Sequence, residues 1–216
     1  MAELNTSDTI IGKELYGYQK DALQEIFRRF EDAPKDYHLL YQLPTGGGKT
    51  VTFSVNVSAF DITGPYFVLN VQDCLDRTGL APNLLCLEIT ESAFMAEPEK
   101  SLNRLHLLKD KGLKLSIDDY GTGMASLAYV RDLPVDELKV DRSFITWIHK
   151  QDRNAAIVKN TISMCHDLNI SIVAEGVETM DEFNWINTHG FDQAQGYFIS
   201  HPLTIEELTR KLSEGS

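Results

Sequence analysis

From Val51 onward the chain alternates. Val51, Phe53, Val55 and Val57 are apolar, while Thr52, Ser54, Asn56 and Ser58 are polar. A two-residue period predicts a strand, because successive side chains of an extended chain point to opposite faces. Short apolar runs predict further strands near 84–90, 114–118, 136–141, 171–175 and 193–198, with an earlier one over 37–43. Helix-length stretches separate them. Leu102, Leu105 and Leu108 mark a helix near 99–111, which Gly112 ends. Val158, Thr161, Ile162 and Cys165 line a second helix, ending near Asn169. Thr179 with Glu182, and Thr204 with Glu207, have capping-box spacing.

Most of these runs end in a polar group. They deliver Asn56, Glu88, the pair Asp118 and Asp119, Lys139 with Asp141, Glu175 and Gln195. Strand, helix, strand with a functional group at each strand exit is the build of an α/β chain of the (β/α)8 TIM-barrel-like class, whose sites lie at the C-terminal rim. Such a barrel needs eight strands and about 250 residues, whereas this chain has 216 residues and one predicted strand too few. The expectation is an incomplete barrel, patched by a foreign helix-strand unit at its N-terminal end. An edge left open by a failed patch would invite a homodimer.

The first fifty residues follow another pattern. Residues 1–13 read as a flexible lead-in. Leu23, Ile26, Phe27 and Phe30 predict a helix over 14–31, stopped by Ala33-Pro34. A glycine-rich loop, PTGGGKT, occupies 44–50. The expected division is therefore 1–53, packed against the barrel, and 54–216, the barrel itself.

Composition narrows the class. The sequence is 43% hydrophobic and 24% charged, ordinary for a globular chain, with a net charge of −12. That acidity argues against nucleic acid as a partner and is compatible with a bound divalent cation. Cys74, Cys86 and Cys165 are isolated, which disfavours both a disulfide framework and a zinc site. No apolar run reaches the roughly 18 residues of a membrane span, and MAELNTSDTIIGKEL has no apolar signal core, so a cytoplasmic location is expected.

Asn56, Glu88, Asp118, Asp119 and Glu175 are oxygen donors predicted at one rim. Hard cations such as Mg²⁺ prefer oxygen ligands. Two such ions roughly 3.5–4 Å apart can activate water against a phosphodiester. Lys139 could hold the water or neutralise developing charge, and Gln195 could position it.

SVNVSAF (54–60), LCLEITES (85–92), LSIDDYGTGMASLAYVRDLPVDELKVDRSFI (115–145), IVAEGVET (172–179) and QAQGYFISHPL (193–203) resemble, in order and spacing, the EAL domain, the cyclic di-GMP phosphodiesterase family. The resemblance implies hydrolysis of cyclic di-GMP to linear pGpG with Mg²⁺ or Mn²⁺. It implies that Asn56, Glu88, Asp118 and Glu175 are metal ligands, that Asp119 serves the second metal, and that Lys139 and Gln195 attend the catalytic water. Glu178 resembles the glutamate that anchors the flexible loop, here 119–126. The Glu-Ala-Leu motif that names the family, with its ligand glutamate and a nearby substrate-contacting arginine, does not occur in residues 1–53.

Residues 16–54 instead resemble the opening of a superfamily-two helicase. In that likeness backbone N–H groups of Gly46 and Gly48 cradle phosphate, Lys49 reaches the outer phosphates and Thr50 holds Mg²⁺. A phosphate-loop lysine should open a helix, but here a strand pattern follows, and no later helicase motif appears. The chain thus reads as a chimera joined at Phe53–Ser54. The expected behaviour is an inactive or weakly active relative of the phosphodiesterases. A residual metal-dependent cyclic di-GMP hydrolase or binding module is the alternative, and an ATP-binding helicase fragment ranks below both.

Overall fold

The computed structural model describes residues 9–10, 13–14, 53–123 and 127–201. The expected strand over 37–43, the loop with Gly46, Gly48, Lys49 and Thr50, and the capping box at Thr204 and Glu207 lie outside these residues. The helix expected over 14–31 lies outside them too, apart from Glu14. That residue pairs as a strand: β1 (Thr9–Ile10) runs antiparallel to β2 (Lys13–Glu14).

The main sheet contains β3 (Phe53–Val57), β4 (Leu85–Thr90), β5 (Lys114–Tyr120), β6 (Glu137–Val140), β7 (Ser171–Ala174) and β8 (Gln193–Ala194). All neighbours are parallel, and spatial order equals chain order. Parallel strands need crossovers, and these are largely helical. Between β3 and β4 stand α1 (Ala59–Thr63) and α2 (Phe67–Thr78); between β4 and β5, α3 (Glu91–Met95) and α4 (Pro98–Asp110). Next come α5 (Leu127–Asp132), then α6 (Arg142–Ile145) with α7 (Asp152–Asp167), and finally α8 (Met180–His189) before β8. This is the α/β architecture read from the pattern. Among the described residues, β3 and β8 are the sheet's two edges.

Local chemistry explains the elements. In α2 the buried positions Phe67, Val71, Cys74, Leu75 and Thr78 recur at helical spacing. Pro98 opens α4, which buries Leu105 and Leu108, and Gly112 follows with φ +86. Thr179 and Glu182 form the expected capping box at α8. Helix α7 buries Val158, Thr161, Ile162 and Cys165, and Asn169 beyond it takes φ +57. Leu87, Leu115, Leu138 and Ile172 are each at most 1% exposed. They pack the sheet's apolar side together with the helices.

One expectation changes. The strand foreseen over 193–198 pairs only at Gln193–Ala194, because the carbonyl of Gly196 accepts from the amides of Ile199 and Ser200 and turns the chain away. Trp147 is 50% exposed and has left-handed backbone at φ +57.

Candidate metal centre

The pairing register sets the site. Asn56 lies opposite Glu88 across β3 and β4, and Glu88 lies opposite Ser116 on β5. Residues two apart on one strand share a face. One face of the sheet therefore carries Ser54 and Asn56, Cys86 and Glu88, Ser116 and Asp118, and Glu137 and Lys139. The polar positions of the alternating strands converge on it, while their apolar partners face the helices.

Lys139 is the centre of the cluster. Its Nζ lies 2.8 Å from Glu175 Oε1, 3.0 Å from Asp118 Oδ1 and 3.3 Å from Glu88 Oε2. The lysine and Glu88 are each 1% exposed. Gln195 Nε2 donates to the same Glu175 oxygen at 2.7 Å. Glu88, Lys139, Asp118, Glu175 and Gln195, from five different strands or strand ends, thus meet at one rim.

Consecutive strand residues normally point to opposite faces, so Asp118 and Asp119 should diverge. The sheet resolves this with an irregularity. The β5–β6 register shifts between Ile117 and Tyr120, and Asp119 has φ +54. Such bulges re-aim side chains beside functional sites. Oxygens of Asp118, Asp119 and Glu175 consequently lie within 4.8 Å of one another.

Charge is unbalanced here. Four carboxylates face one ammonium. Burial pushes the Glu175 carboxyl up to about 7, against the pull of Lys139 and with Asp118 adding to the rise. Burial likewise raises Glu88, although Lys139 opposes it, and raises Asp119, aided by Asp118 and Asp141. Burial alone would lower Lys139, but Glu88, Glu175 and Asp118 outweigh it and hold the ammonium above its ordinary value. Glu88 Oε1 and Gln195 Oε1 are buried without a well-formed hydrogen bond, although the Ser54 hydroxyl lies near enough to Glu88 to pull its carboxyl down somewhat. Buried oxygens without a well-formed hydrogen bond, in a set short of positive charge, fit a hard divalent cation.

The loop after Asp119 is tied to a residue that the strand-end pattern does not single out. Glu91 Oε2 accepts the Gly121 amide at 2.9 Å and the Gly123 amide at 3.2 Å. Glu91 is 3% exposed and opens α3, three residues after Glu88. Among the described residues, Glu91 thus ties down the start of this loop. Glu178 itself donates its backbone N–H to Glu182 Oε2 at 3.0 Å, at the start of α8. One signal for Glu91 was available: an acidic residue just inside a helix that begins beside a ligand-bearing strand.

The EAL domain model matches residues 29–202 of the chain. The cyclic di-GMP phosphodiesterase NbdA of Pseudomonas aeruginosa is 39% identical over 169 residues, 78% of this chain and 22% of that protein. The chain spans about a fifth of the length of the curated relatives it matches. Among solved structures, the PaMucR phosphodiesterase in complex with c-di-GMP is 39% identical with a TM-score of 0.69, covering 73% of this chain and 64% of that one. The EAL domain of Mycobacterium smegmatis DcpA is 34% identical with a TM-score of 0.70, covering 76% and 74%. Klebsiella pneumoniae BlrP1 with manganese and cyclic di-GMP is 28% identical with a TM-score of 0.64, covering 83% and 43%. No helix among the described residues is long and apolar enough to cross a membrane.

Proposed function

The chain belongs to the EAL domain family, and from that premise we propose that it takes up divalent cations and cyclic di-GMP at the Lys139 rim but cleaves the substrate slowly. The observation that carries this reading is the cluster of Glu88, Asp118, Asp119 and Glu175 around one buried lysine, with two buried oxygens left without a well-formed hydrogen bond.

Asn56, Glu88, Asp118, Asp119 and Glu175 would hold Mg²⁺ or Mn²⁺. The bound cations would neutralise phosphate charge and make water a stronger nucleophile. Lys139 supplies positive charge for the developing phosphorane, and its ammonium donates to the attacking oxygen once it turns from Glu175. Gln195 orients that oxygen through its amide. Glu91 holds the loop that follows Asp119.

Slow turnover follows from what residues 1–53 do not supply. The Glu-Ala-Leu motif of the family, which would supply one more carboxylate ligand and a nearby arginine for the substrate, does not occur before Asn56. Losing one ligand weakens cation binding and misplaces the diester. The helicase-like start belongs to the same reading, as a graft that turns over no ATP. The family match begins at residue 29, so it already runs through part of that segment.

The test is direct. The chain is incubated with cyclic di-GMP and Mn²⁺, pGpG is followed by chromatography, and binding is followed by calorimetry. Saturable, cation-dependent binding with little pGpG is expected. Rapid conversion would refute the slow turnover, and no binding with either cation would refute the whole reading. ATP binding abolished by Lys49→Ala would overturn the inert role of the graft.

A further inference from the structure

The turn after Asp119 is held by more than Glu91. The Asp119 carbonyl accepts from the Thr122 amide at 3.2 Å and from Thr122 Oγ1 at 2.9 Å. Asp119 itself is left-handed at φ +54, uncommon for a residue with a side chain although aspartate tolerates it better than most. Gly121 follows at φ +101. A Cβ at Gly121 would sit 2.5 Å from Phe144 Cε2 and 3.1 Å from Cζ. The Phe144 ring therefore lies against the bare Cα of Gly121, in space that any other residue would claim.

Phe144 stands in α6, five residues beyond Lys139. Its amide donates to the Asp141 carbonyl at 3.0 Å, and the Asp141 amide donates to the Tyr120 carbonyl at 3.3 Å. The strand that delivers Lys139 and the turn that delivers Asp119 are thus joined twice, once by a backbone hydrogen bond and once by a ring on a glycine. Glu91 grips the amide of Gly121 while Phe144 covers its Cα, so the two contacts restrain one residue in separate directions.

Building on the proposed function, we propose that Phe144 is a positioning residue: seated on Gly121, its ring holds the left-handed turn that aims the Asp119 carboxylate at Asp118 and Glu175. Its influence runs through the backbone of 119–121. It sets the uptake of a cation that uses Asp119 and leaves a cation held mainly by Glu88 and Asp118 nearly unaffected.

Two readouts test this on Phe144→Ala, with Phe144→Tyr as the variant that keeps the ring. The first is hydrogen exchange of the Gly121 and Gly123 amides without added cation. The second is Mn²⁺ uptake, read from the electron paramagnetic resonance of the free ion. In Phe144→Ala both amides should exchange roughly tenfold faster, while the core amides of Leu115 and Leu138 keep their protection. The weaker class of Mn²⁺ sites should lose about tenfold in affinity and the tighter class less than about twofold. Phe144→Tyr should behave as the parent chain. Gly121→Ala should disturb the same amides, and the double variant with Phe144→Ala should be less perturbed than the sum of the two.

Parent-like exchange at Gly121 and Gly123 in Phe144→Ala would overturn the proposal. So would equal acceleration of core amides, equal weakening of both Mn²⁺ classes, or simple additivity in the double variant. A parent chain that takes up no Mn²⁺ would count against the proposed function, and the exchange comparison would then decide the role of Phe144 by itself.

Discussion

Lys139 Nζ lies 2.8 Å from Glu175 Oε1, and the same oxygen accepts the Gln195 amide at 2.7 Å. Lys139 is thereby the internal counter-ion of a carboxylate cluster that carries more negative charge than it can neutralise. A cation entering this rim would compete with the ammonium for the same oxygens.

Replacing the counter-ion separates charge from packing. Lys139→Met removes the ammonium from Glu88, Asp118 and Glu175 and leaves buried carboxylates uncompensated, which costs about 3–5 kcal/mol. The urea midpoint in chelator should fall accordingly. Mn²⁺ should then restore more stability to Lys139→Met than it adds to the parent. Equal gains in the two proteins would refute the counter-ion role.

Acidity should act through Glu175, whose carboxyl is pushed from 4.5 up to about 7. Between those values the folded chain keeps a proton that the unfolded chain has released. Stability in cation-free buffer should therefore decline as pH rises through this window. Glu175→Gln should flatten the decline in a series of urea melts. A slope unchanged in Glu175→Gln would assign the effect to another group.

Glu182 works in the opposite sense. Its carboxylate is buried and accepts the amides of Trp147 at 2.9 Å, Glu178 at 3.0 Å and Thr179 at 3.0 Å. Burial by itself would raise it, but these donors win and hold it below its ordinary value. Its contribution is present above the ordinary value of 4.5 and is lost as pH falls through the lower folded value. Glu182→Gln should cost about 1–3 kcal/mol at neutral pH and soften the acid transition. Circular dichroism against pH checks both.

Gly196→Ala should disturb the rim without touching a charged group. A Cβ at this position would lie 2.2 Å from the Val177 carbonyl oxygen and 2.3 Å from its nitrogen. Both are backbone atoms, so the chain must shift, and Gln195 is the neighbour that moves with it. A loss of about 1–3 kcal/mol is expected, together with weaker Mn²⁺ uptake. Parent-like stability would show that the segment has room to yield.

Much of this protein was legible in one dimension. The alternation at 51–58 gave β3, the leucines at 102, 105 and 108 gave α4, and Thr179 with Glu182 gave the start of α8. The polar group at each strand exit located Glu88, Asp118, Lys139, Glu175 and Gln195 before any contact was known. The exposed face of Trp147 was not legible, because a lone aromatic carries no periodic signal of its side. Glu91 was missed for a related reason: it faces the loop only after α3 turns it there.

Periodicity, capping chemistry and strand-end polarity are properties of neighbours in the chain, so the sequence alone determined the parallel α/β order and the inventory of groups at the rim. Which of those groups touch depends on register between strands that are distant in sequence. Only the tertiary structure decided that a shift between Ile117 and Tyr120 turns Asp118 and Asp119 toward a common centre, that Lys139 is held among three carboxylates, and that the Phe144 ring rests on Gly121.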